Sequence, residues 1–156
     1  MSFDEIYNTY WQKIFRLCMG YVNDFDWAQD ITQETFLIVW QQLPKFRNEA
    51  NISTWIFRIA SNNCLRQIEK AKRIPKAALP YDVREETTES IEPKLKLLYQ
   101  FIAELQETDR IIISLELENI KQAEIAAIVG LSEANIRVKI HRIKEKLTIK
   151  FKANEQ

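Results

Sequence analysis

The sequence predicts an all-α protein, and three observations lead to this prediction. Only 2 of the 156 residues are glycine and 4 are proline, whereas a sheet protein needs many tight turns, most of which use glycine. Hydrophobic residues make up 46% of the chain and aromatic residues 11%, which is enough for a core and argues against disorder. Apolar residues also recur at helical spacing in successive segments.

The first two helices are predicted from their caps and apolar faces. Ser2 to Glu5 has the pattern of a capping box, and Gly20 to Asp24 is a natural stop. A second helix should run from about Asp26 to Leu43, because Pro44 disfavours a helical residue before it. Its inner face carries Trp27, Ile31, Thr35, Ile38 and Val39. Its outer face is acidic yet includes two large apolar residues, and holds Asp30, Gln33, Glu34, Leu37 and Trp40.

The third helix should begin after Asn51, a good N-cap, and run from Ile52 to about Lys72. One side is mainly apolar and contains Trp55 together with Asn63. The other side is a broad stripe of basic and amide residues, namely Arg58, Asn62, Arg66, Lys70 and Arg73. Together with Phe46-Arg47 before the helix, this is the mixture that grips single-stranded DNA, where cations track phosphates and rings stack on bases. Taken alone, the signal is weak, and Trp55 is also explained as a core residue.

Residues 74–93 break the helical pattern. They contain three of the four prolines and a polar run from Glu85 to Ser90, with few apolar residues. We expect a flexible linker that divides the chain into two small helical domains, 1–73 and 94–156. An ordered loop on one domain is the alternative.

The second domain should hold helices from about Lys94 to Leu105, one capped by Thr108, one from Ile120 to Val129, and one capped by Ser132 that runs from about Glu133 to Phe151. A short helix, the turn Gly130-Leu131-Ser132 and a longer basic helix form a helix-turn-helix pattern. Gly130 can take the left-handed conformation that ends the short helix. In the last helix Ile136, Ile140, Ile143 and Leu147 should face the core. The exposed side and its flanks carry Arg137, Lys139, His141, Arg142 and Lys146.

The charge distribution supports a nucleic-acid contact at this last helix. The whole chain has a formal net charge of zero, but residues 133–156 hold seven basic and three acidic side chains. Arginine can donate twice to a guanine edge, and flanking lysines can meet phosphates. A solvated basic helix in a bundle is the alternative reading.

Other classes of protein lack support. Cys18 and Cys64 have no paired spacing and should be reduced and buried, and the single histidine has no neighbouring cysteine, so we predict no metal site. No phosphate loop or nucleophile–histidine motif indicates an enzyme or a bound cofactor. The sequence shows no signal peptide or membrane span, so we expect a cytoplasmic protein.

The three patterns, in this order, resemble the extracytoplasmic-function class of bacterial sigma factors. Ala28 to Leu37 is similar to the core-polymerase-binding helix of that family. Phe46-Arg47 with Ser53 to Asn62 is similar to its promoter-melting segment. Ala123 to Ala126, Gly130 to Ser132 and Ile136 to Arg142 are similar to its promoter-reading helix-turn-helix.

The resemblance implies a set of roles. The partners would be core RNA polymerase, promoter DNA and an anti-sigma factor, and the free protein would be a monomer without membrane insertion. Asp30, Gln33, Glu34, Leu37 and Trp40 would bind core polymerase. Phe46, Arg47, Trp55, Arg58, Asn62, Arg66, Lys70 and Arg73 would bind the minus-ten element. Ser132, Arg137, Lys139, His141, Arg142 and Lys146 would bind the minus-thirty-five element.

Two further hypotheses remain open at this point. A helix-turn-helix regulator that acts without replacing sigma would need to dimerise to read two half-sites, and the sequence offers no long apolar heptad for a dimer seam. A helical adaptor protein would lose no function when Arg137 and Arg142 are replaced.

Overall fold

The computed structural model describes residues 2–48, 51–72 and 92–155. Throughout these ranges the regular structure is helical and no strand occurs, which confirms the all-α prediction. The α-helices are α1 (Phe3–Val22), α2 (Phe25–Gln42), α3 (Ile52–Lys72), α4 (Pro93–Ala103), α5 (Glu107–Leu117), α6 (Gln122–Val129) and α7 (Glu133–Glu155).

The caps of the first three helices follow the sequence closely. The Ser2 hydroxyl accepts from the Glu5 amide while the Glu5 carboxylate accepts from the Ser2 amide, completing the capping box. Helix α2 ends at Gln42 and continues as a short 3-10 turn, Leu43–Lys45, which contains Pro44. The Asn51 side chain accepts from the Ser53 amide at 3.1 Å at the start of α3.

Helices α1, α2 and α3 pack around one apolar core. The only amide side chain completely buried in the described part is that of Asn63 on α3. Its Nδ2 donates to the Ile31 carbonyl at 3.3 Å and to the Thr35 hydroxyl at 3.2 Å. These two contacts tie α3 to α2 through the amide nitrogen, because a buried donor without a partner is costly. The buried Oδ1 of the same amide has no hydrogen-bond partner in the described structure.

Helices α4 to α7 form the second unit, with two differences from the expected boundaries. Thr108 is not an N-cap: α5 begins at Glu107, and Gln106 occupies the cap position without a side-chain hydrogen bond. Helix α7 continues past Phe151 to Glu155. The edge-on packing of Phe151 against Phe101 of α4, with ring centroids 4.9 Å apart, accounts for the extra turn.

The turn between α6 and α7 has the geometry that the sequence predicts. Gly130 takes a left-handed conformation, with φ of 77°, and its amide donates to the Ala126 carbonyl. The Ser132 hydroxyl then accepts from the Asn135 amide at 3.1 Å and caps α7. The four isoleucine and leucine residues predicted for the core side of α7 are all buried.

The two units are in direct contact. Helix α1 packs against α4 and α5, and α3 packs against α5 and α6. The apolar core runs from one unit into the other without interruption. The predicted linker lies outside the described residues up to position 91, and Pro93 is already the first residue of α4.

Cys18 of α1 and Cys64 of α3 are free and fully buried, as expected, with their Sγ atoms 3.7 Å apart. The hydrogen bond to Cys18 and burial raise the pKa of the Cys64 thiol well above its usual value. Burial shields both thiols from solvent, and the raised pKa keeps the Cys64 thiol protonated at neutral pH. None of the described helices has the length and hydropathy needed to cross a bilayer.

Candidate protein- and nucleic-acid-binding surfaces

The outer side of α2 carries an exposed surface that we call the docking face, consisting of Asp30, Gln33, Glu34, Leu37 and Trp40. All five side chains are exposed. Leu37 is 61% and Trp40 60% exposed, so neither residue belongs to the core of its own domain. An exposed apolar patch with a polar rim is typical of a protein interaction site.

The acidic part of the docking face is anchored from α3. The Gln67 side chain donates to the Glu34 carboxylate through a 2.8 Å hydrogen bond. This contact holds one carboxylate in a defined position beside the exposed Trp40 and Leu37. Gln67 was not among the predicted site residues, because its role depends on contact with another helix.

Helix α3 presents the second surface, which we call the α3 stripe: Arg58, Asn62, Arg66 and Lys70. Every member is exposed, while Asn63 and Cys64 between them are buried. Arg58 also approaches the second unit, with its Nη2 3.5 Å from the Ala127 carbonyl of α6. Arg73, predicted for this surface, lies outside the described residues.

An aromatic cleft opens beside the first turn of α3. Phe46 and Trp55 pack with ring centroids 4.7 Å apart and an interplanar angle of 30°. They line a cavity of about 310 Å³ together with Gln42 and Lys45. Trp55 is half-buried, so it is a wall of the cleft as well as a core residue. The sequence analysis did not include Gln42 and Lys45 among the site residues. Their position within four residues of Phe46 could have indicated that they line the same cleft.

The third surface lies on α7 and is called the reading face: Arg137, His141, Arg142 and Lys146. All four side chains are exposed on the side opposite the buried isoleucines. His141 Nε2 lies 3.1 Å from the Glu145 carboxylate one turn later. Ser132 is exposed as well as capping the helix.

The lysines on the flank of α7 face acidic side chains of α5 and of the turn that follows α4. Lys139 Nζ is 3.8 Å from Asp109, Lys144 Nζ is 3.2 Å from Glu116, and Lys150 pairs with Glu104. Lys139 is half-buried, unlike the rest of the predicted set. Among the described residues, the basic side chains of α7 without an acidic partner are therefore Arg137, Arg142, Lys146 and, in the last turn, Lys152.

A metal centre finds no support in the ranges that the structure describes, which contain no group of three histidine, cysteine or carboxylate side chains able to hold an ion. What the three surfaces offer is binding chemistry. The docking face suits a protein, the α3 stripe with its aromatic cleft suits unstacked bases and phosphates, and the reading face suits a duplex groove.

Comparison with known families places these surfaces in context. Residues 6–74 match the family described as Sigma-70 region 2, and residues 95–147 match Sigma-70, region 4. The first of these contains the docking face and the α3 stripe, and the second contains the helix-turn-helix. The chain belongs to the extracytoplasmic-function class of sigma factors. Sigma factors of this class direct promoter-specific initiation of transcription by RNA polymerase.

Curated relatives of this sigma factor include the RNA polymerase sigma-H factor of Pseudomonas aeruginosa, 28% identical over 163 residues, covering 92% of this chain and 83% of the relative. The ECF RNA polymerase sigma factor SigW of Bacillus subtilis is 32% identical over 124 residues, covering 80% of this chain and 62% of the relative. The ECF RNA polymerase sigma factor SigM of Bacillus subtilis is 24% identical, covering 94% of this chain and 93% of the relative.

Solved structures share the fold of this sigma factor. The sigma factor RpoE of Bartonella quintana, solved with the anti-sigma factor NepR, has a TM-score of 0.82 at 19% identity, covering 96% of each chain. CnrH, solved with the cytosolic domain of CnrY, has a TM-score of 0.73 at 20% identity, covering 97% of this chain and 88% of that one.

Proposed function

We propose that this sigma factor binds core polymerase through the docking face and reads two promoter elements, with the α3 stripe and aromatic cleft on the minus-ten element and the reading face on the minus-thirty-five element. The observation that carries the proposal is the pairing of two different surfaces on adjacent helices. Helix α2 exposes acidic and apolar side chains, while α3 exposes cationic and amide side chains beside an aromatic cleft.

The docking face would contact a partner with a basic and apolar surface. Trp40 and Leu37 supply apolar area, and Asp30 and Glu34 supply charge around it. An exposed tryptophan within such a patch is typical of the residues that dominate binding energy. We assign this face to core polymerase.

The α3 stripe would hold one melted strand of the minus-ten element. Arg58, Arg66 and Lys70 can contact phosphates, and Asn62 can form hydrogen bonds to the edge of an unstacked base. The cleft between Phe46 and Trp55 offers aromatic surface on which a flipped base can stack. Exposed Arg47 and, beyond the described residues, Arg73 would extend the basic track at its two ends.

The reading face would enter the major groove of the minus-thirty-five element. Arg137 and Arg142 are free of acidic partners in the described part of the chain and can donate to guanine edges. Lys146, Lys139 and the N-terminal turn at Ser132 would contact phosphates. His141, whose Nε2 lies 3.1 Å from the Glu145 carboxylate, would contact DNA from the same face.

The sequence domains 1–73 and 94–156 would therefore each recognise one promoter element. We further propose that the protein acts in the cytoplasm, as a monomer when free, and without catalytic chemistry or a cofactor of its own. An anti-sigma factor is a further expected partner. One structural neighbour was solved with the anti-sigma factor NepR, and the other with the cytosolic domain of CnrY.

Run-off transcription with sigma-free core polymerase tests the proposal. A pool of promoter-bearing templates should give discrete new start sites with this protein, and these should vanish with Asp30→Ala or Asn62→Ala. Pull-down with core polymerase separates the two variants, because only the first should lose core binding. Absence of both core binding and initiation would favour a regulator that acts without replacing sigma.

A further inference from the structure

The side chain of α7 that points most directly away from the core is apolar. Val138 is 47% exposed, whereas the isoleucine and leucine residues of the core side are buried. Successive residues of an α-helix are rotated by about 100°, which places Val138 about 170° from the centre of that buried side. By the same rotation His141 lies about 60° to one side of Val138 and Arg142 about 40° to the other. The valine is therefore at the middle of the reading face.

The fold itself gives no reason for a valine at this position. Val138 lies outside the buried stripe of α7, and valine is a poorer helix former than alanine, lysine or arginine. Ala134, one turn before it, is also exposed. A single exposed valine is ordinary on a protein surface. An apolar side chain in the middle of a basic, DNA-reading face has a chemical use only if the DNA presents an apolar group there.

The major groove presents one such group. The C5-methyl of thymine lies on the major-groove edge of the A·T pair, and apolar side chains recognise thymine by contact with it. Helices of the helix-turn-helix class place their N-terminal residues against the base edges. Val138 lies in the first two turns of α7, which begins at Glu133. It is therefore on the part of the helix that reaches the bases.

We propose that Val138 determines specificity at one base pair of the minus-thirty-five element by packing against the C5-methyl group of a thymine. The inference rests on the proposed function, since it takes the reading face into the groove of that element. Arg137 and Arg142 can select bases by donating hydrogen bonds, above all to guanine. Valine donates none, so it adds a second kind of recognition, in which a methyl group is identified by apolar contact.

Removal of single methyl groups from the DNA tests this assignment. Uracil pairs with adenine as thymine does and lacks only the C5-methyl. The full-length protein bound to core polymerase is titrated with a minus-thirty-five duplex from a promoter recovered by run-off transcription, in which each thymine in turn is replaced by uracil. At one position the replacement should weaken binding by about three- to fivefold, the effect expected for one methyl group withdrawn from an apolar contact.

Two variants show whether Val138 is the residue that senses the methyl. Val138→Ala should bind the thymine and uracil duplexes equally, because the shorter side chain leaves the methyl without its contact. Alanine favours the helix, and circular dichroism verifies that α7 is retained. Ile149→Ala is the matched control. Ile149 is 66% exposed and lies on nearly the same side of α7, but about 16 Å further along the axis, so this variant should keep the full response to uracil.

The possible results separate this inference from the proposed function. If uracil has no effect at any thymine, or if its effect persists in Val138→Ala, the inference is overturned while the proposed function stands. Loss of core binding by Val138→Ala would also overturn it, because the valine would then contact a protein. If the wild type neither binds core polymerase nor initiates transcription, the proposed function itself falls, and the inference falls with it.

Discussion

Gly20 of α1 and Ser114 of α5 lie so close together that a Cβ atom on Gly20 would sit 2.1 Å from the Ser114 Oγ and 3.2 Å from its Cβ. The glycine thus sets how closely the two units approach. At Gly20, the absence of a side chain allows α1 and α5 to pack closely. At Gly130, by contrast, nothing lies within 4 Å of an added Cβ, and the positive φ is the reason for glycine.

Gly20→Ala should force α1 and α5 apart and lower the free energy of unfolding by about 1–3 kcal/mol, the usual cost of overpacking. Urea denaturation measures the change. Ser114→Ala is the matched control: its buried hydroxyl oxygen has no hydrogen-bond partner in the described structure, so its loss should be nearly neutral. The double variant should recover part of the Gly20→Ala loss. Full stability of Gly20→Ala would contradict the close approach.

Trp40→Ala should weaken binding to core polymerase by about 2 kcal/mol, roughly thirtyfold in Kd, because a largely exposed tryptophan within a docking surface is a typical hot spot. Thermal unfolding should be unchanged, since the side chain packs little on its own domain. Ile149→Ala on α7 is the control, with 66% exposure and no place in the docking face. Fluorescence anisotropy with labelled protein compares the two, and equal Kd values would remove Trp40 from the interface.

Arg142→Ala should lower the affinity of the polymerase-bound protein for a minus-thirty-five duplex by about 1–3 kcal/mol and relax specificity at one base pair. Lys139→Ala should cost less, because Lys139 is half-buried and faces Asp109 at 3.8 Å. Titrations at several salt concentrations distinguish base reading from phosphate contact, since a lost phosphate contact reduces the salt dependence. A larger loss for Lys139→Ala would reverse this assignment of roles.

The buried Tyr21 should make stability fall at alkaline pH. Burial, with a smaller contribution from Glu107, raises the pKa of Tyr21 above its ordinary value of about 10. Below that pH the tyrosine is protonated in both states. Above it the unfolded chain releases the proton while the folded chain retains it, so the free energy of unfolding decreases as pH rises.

Tyr21→Phe should reduce that slope by up to about 1.4 kcal/mol per pH unit. The Tyr21 hydroxyl has no partner within the described ranges, so phenylalanine should fit without a lost hydrogen bond. Urea denaturation from pH 8 to 11, a range of roughly one unit or more on either side of the ordinary tyrosine pKa, gives the slope. Burial also raises the pKa of Tyr99, so Tyr21→Phe with Tyr99→Phe should flatten the curve further. An unchanged slope would contradict a raised pKa.

Local patterns were sufficient to predict most of the fold. The capping box at Ser2, the stop at Pro44 and the left-handed Gly130 each depend on a few neighbouring residues, and each was found where expected. The helical spacing of apolar residues in α3 also predicted that Asn62 is exposed while Asn63 lies on the core side, as the structure shows. Thr108 failed as a cap because a threonine near a helix start has the same local signature inside the first turn as at the cap position.

The contact between the two units could not be predicted in the same way. Arg16 and Glu118 are 102 residues apart in the chain, and no periodicity indicates that they meet. The pairing of α7 lysines with acidic residues of α5 and of the turn after α4 is equally impossible to predict from the pattern of one helix. For this reason the sequence analysis assigned Lys139 to DNA contact, whereas the structure places its Nζ atom 3.8 Å from Asp109.

Adjacent Asn62 and Asn63 on α3 separate function from stability within one helix. Asn63→Ala should lower the free energy of unfolding by about 1–3 kcal/mol, because it removes two buried hydrogen bonds from α3 to α2. The Thr35 hydroxyl and the Ile31 carbonyl stay bonded to each other at 2.8 Å. Asn62→Ala, at an exposed position, should change stability by less than about 0.5 kcal/mol while abolishing promoter opening. Urea denaturation and permanganate footprinting of the melted strand measure the two effects. Loss of stability in Asn62→Ala, or normal opening by it, would show that this asparagine does not read a base.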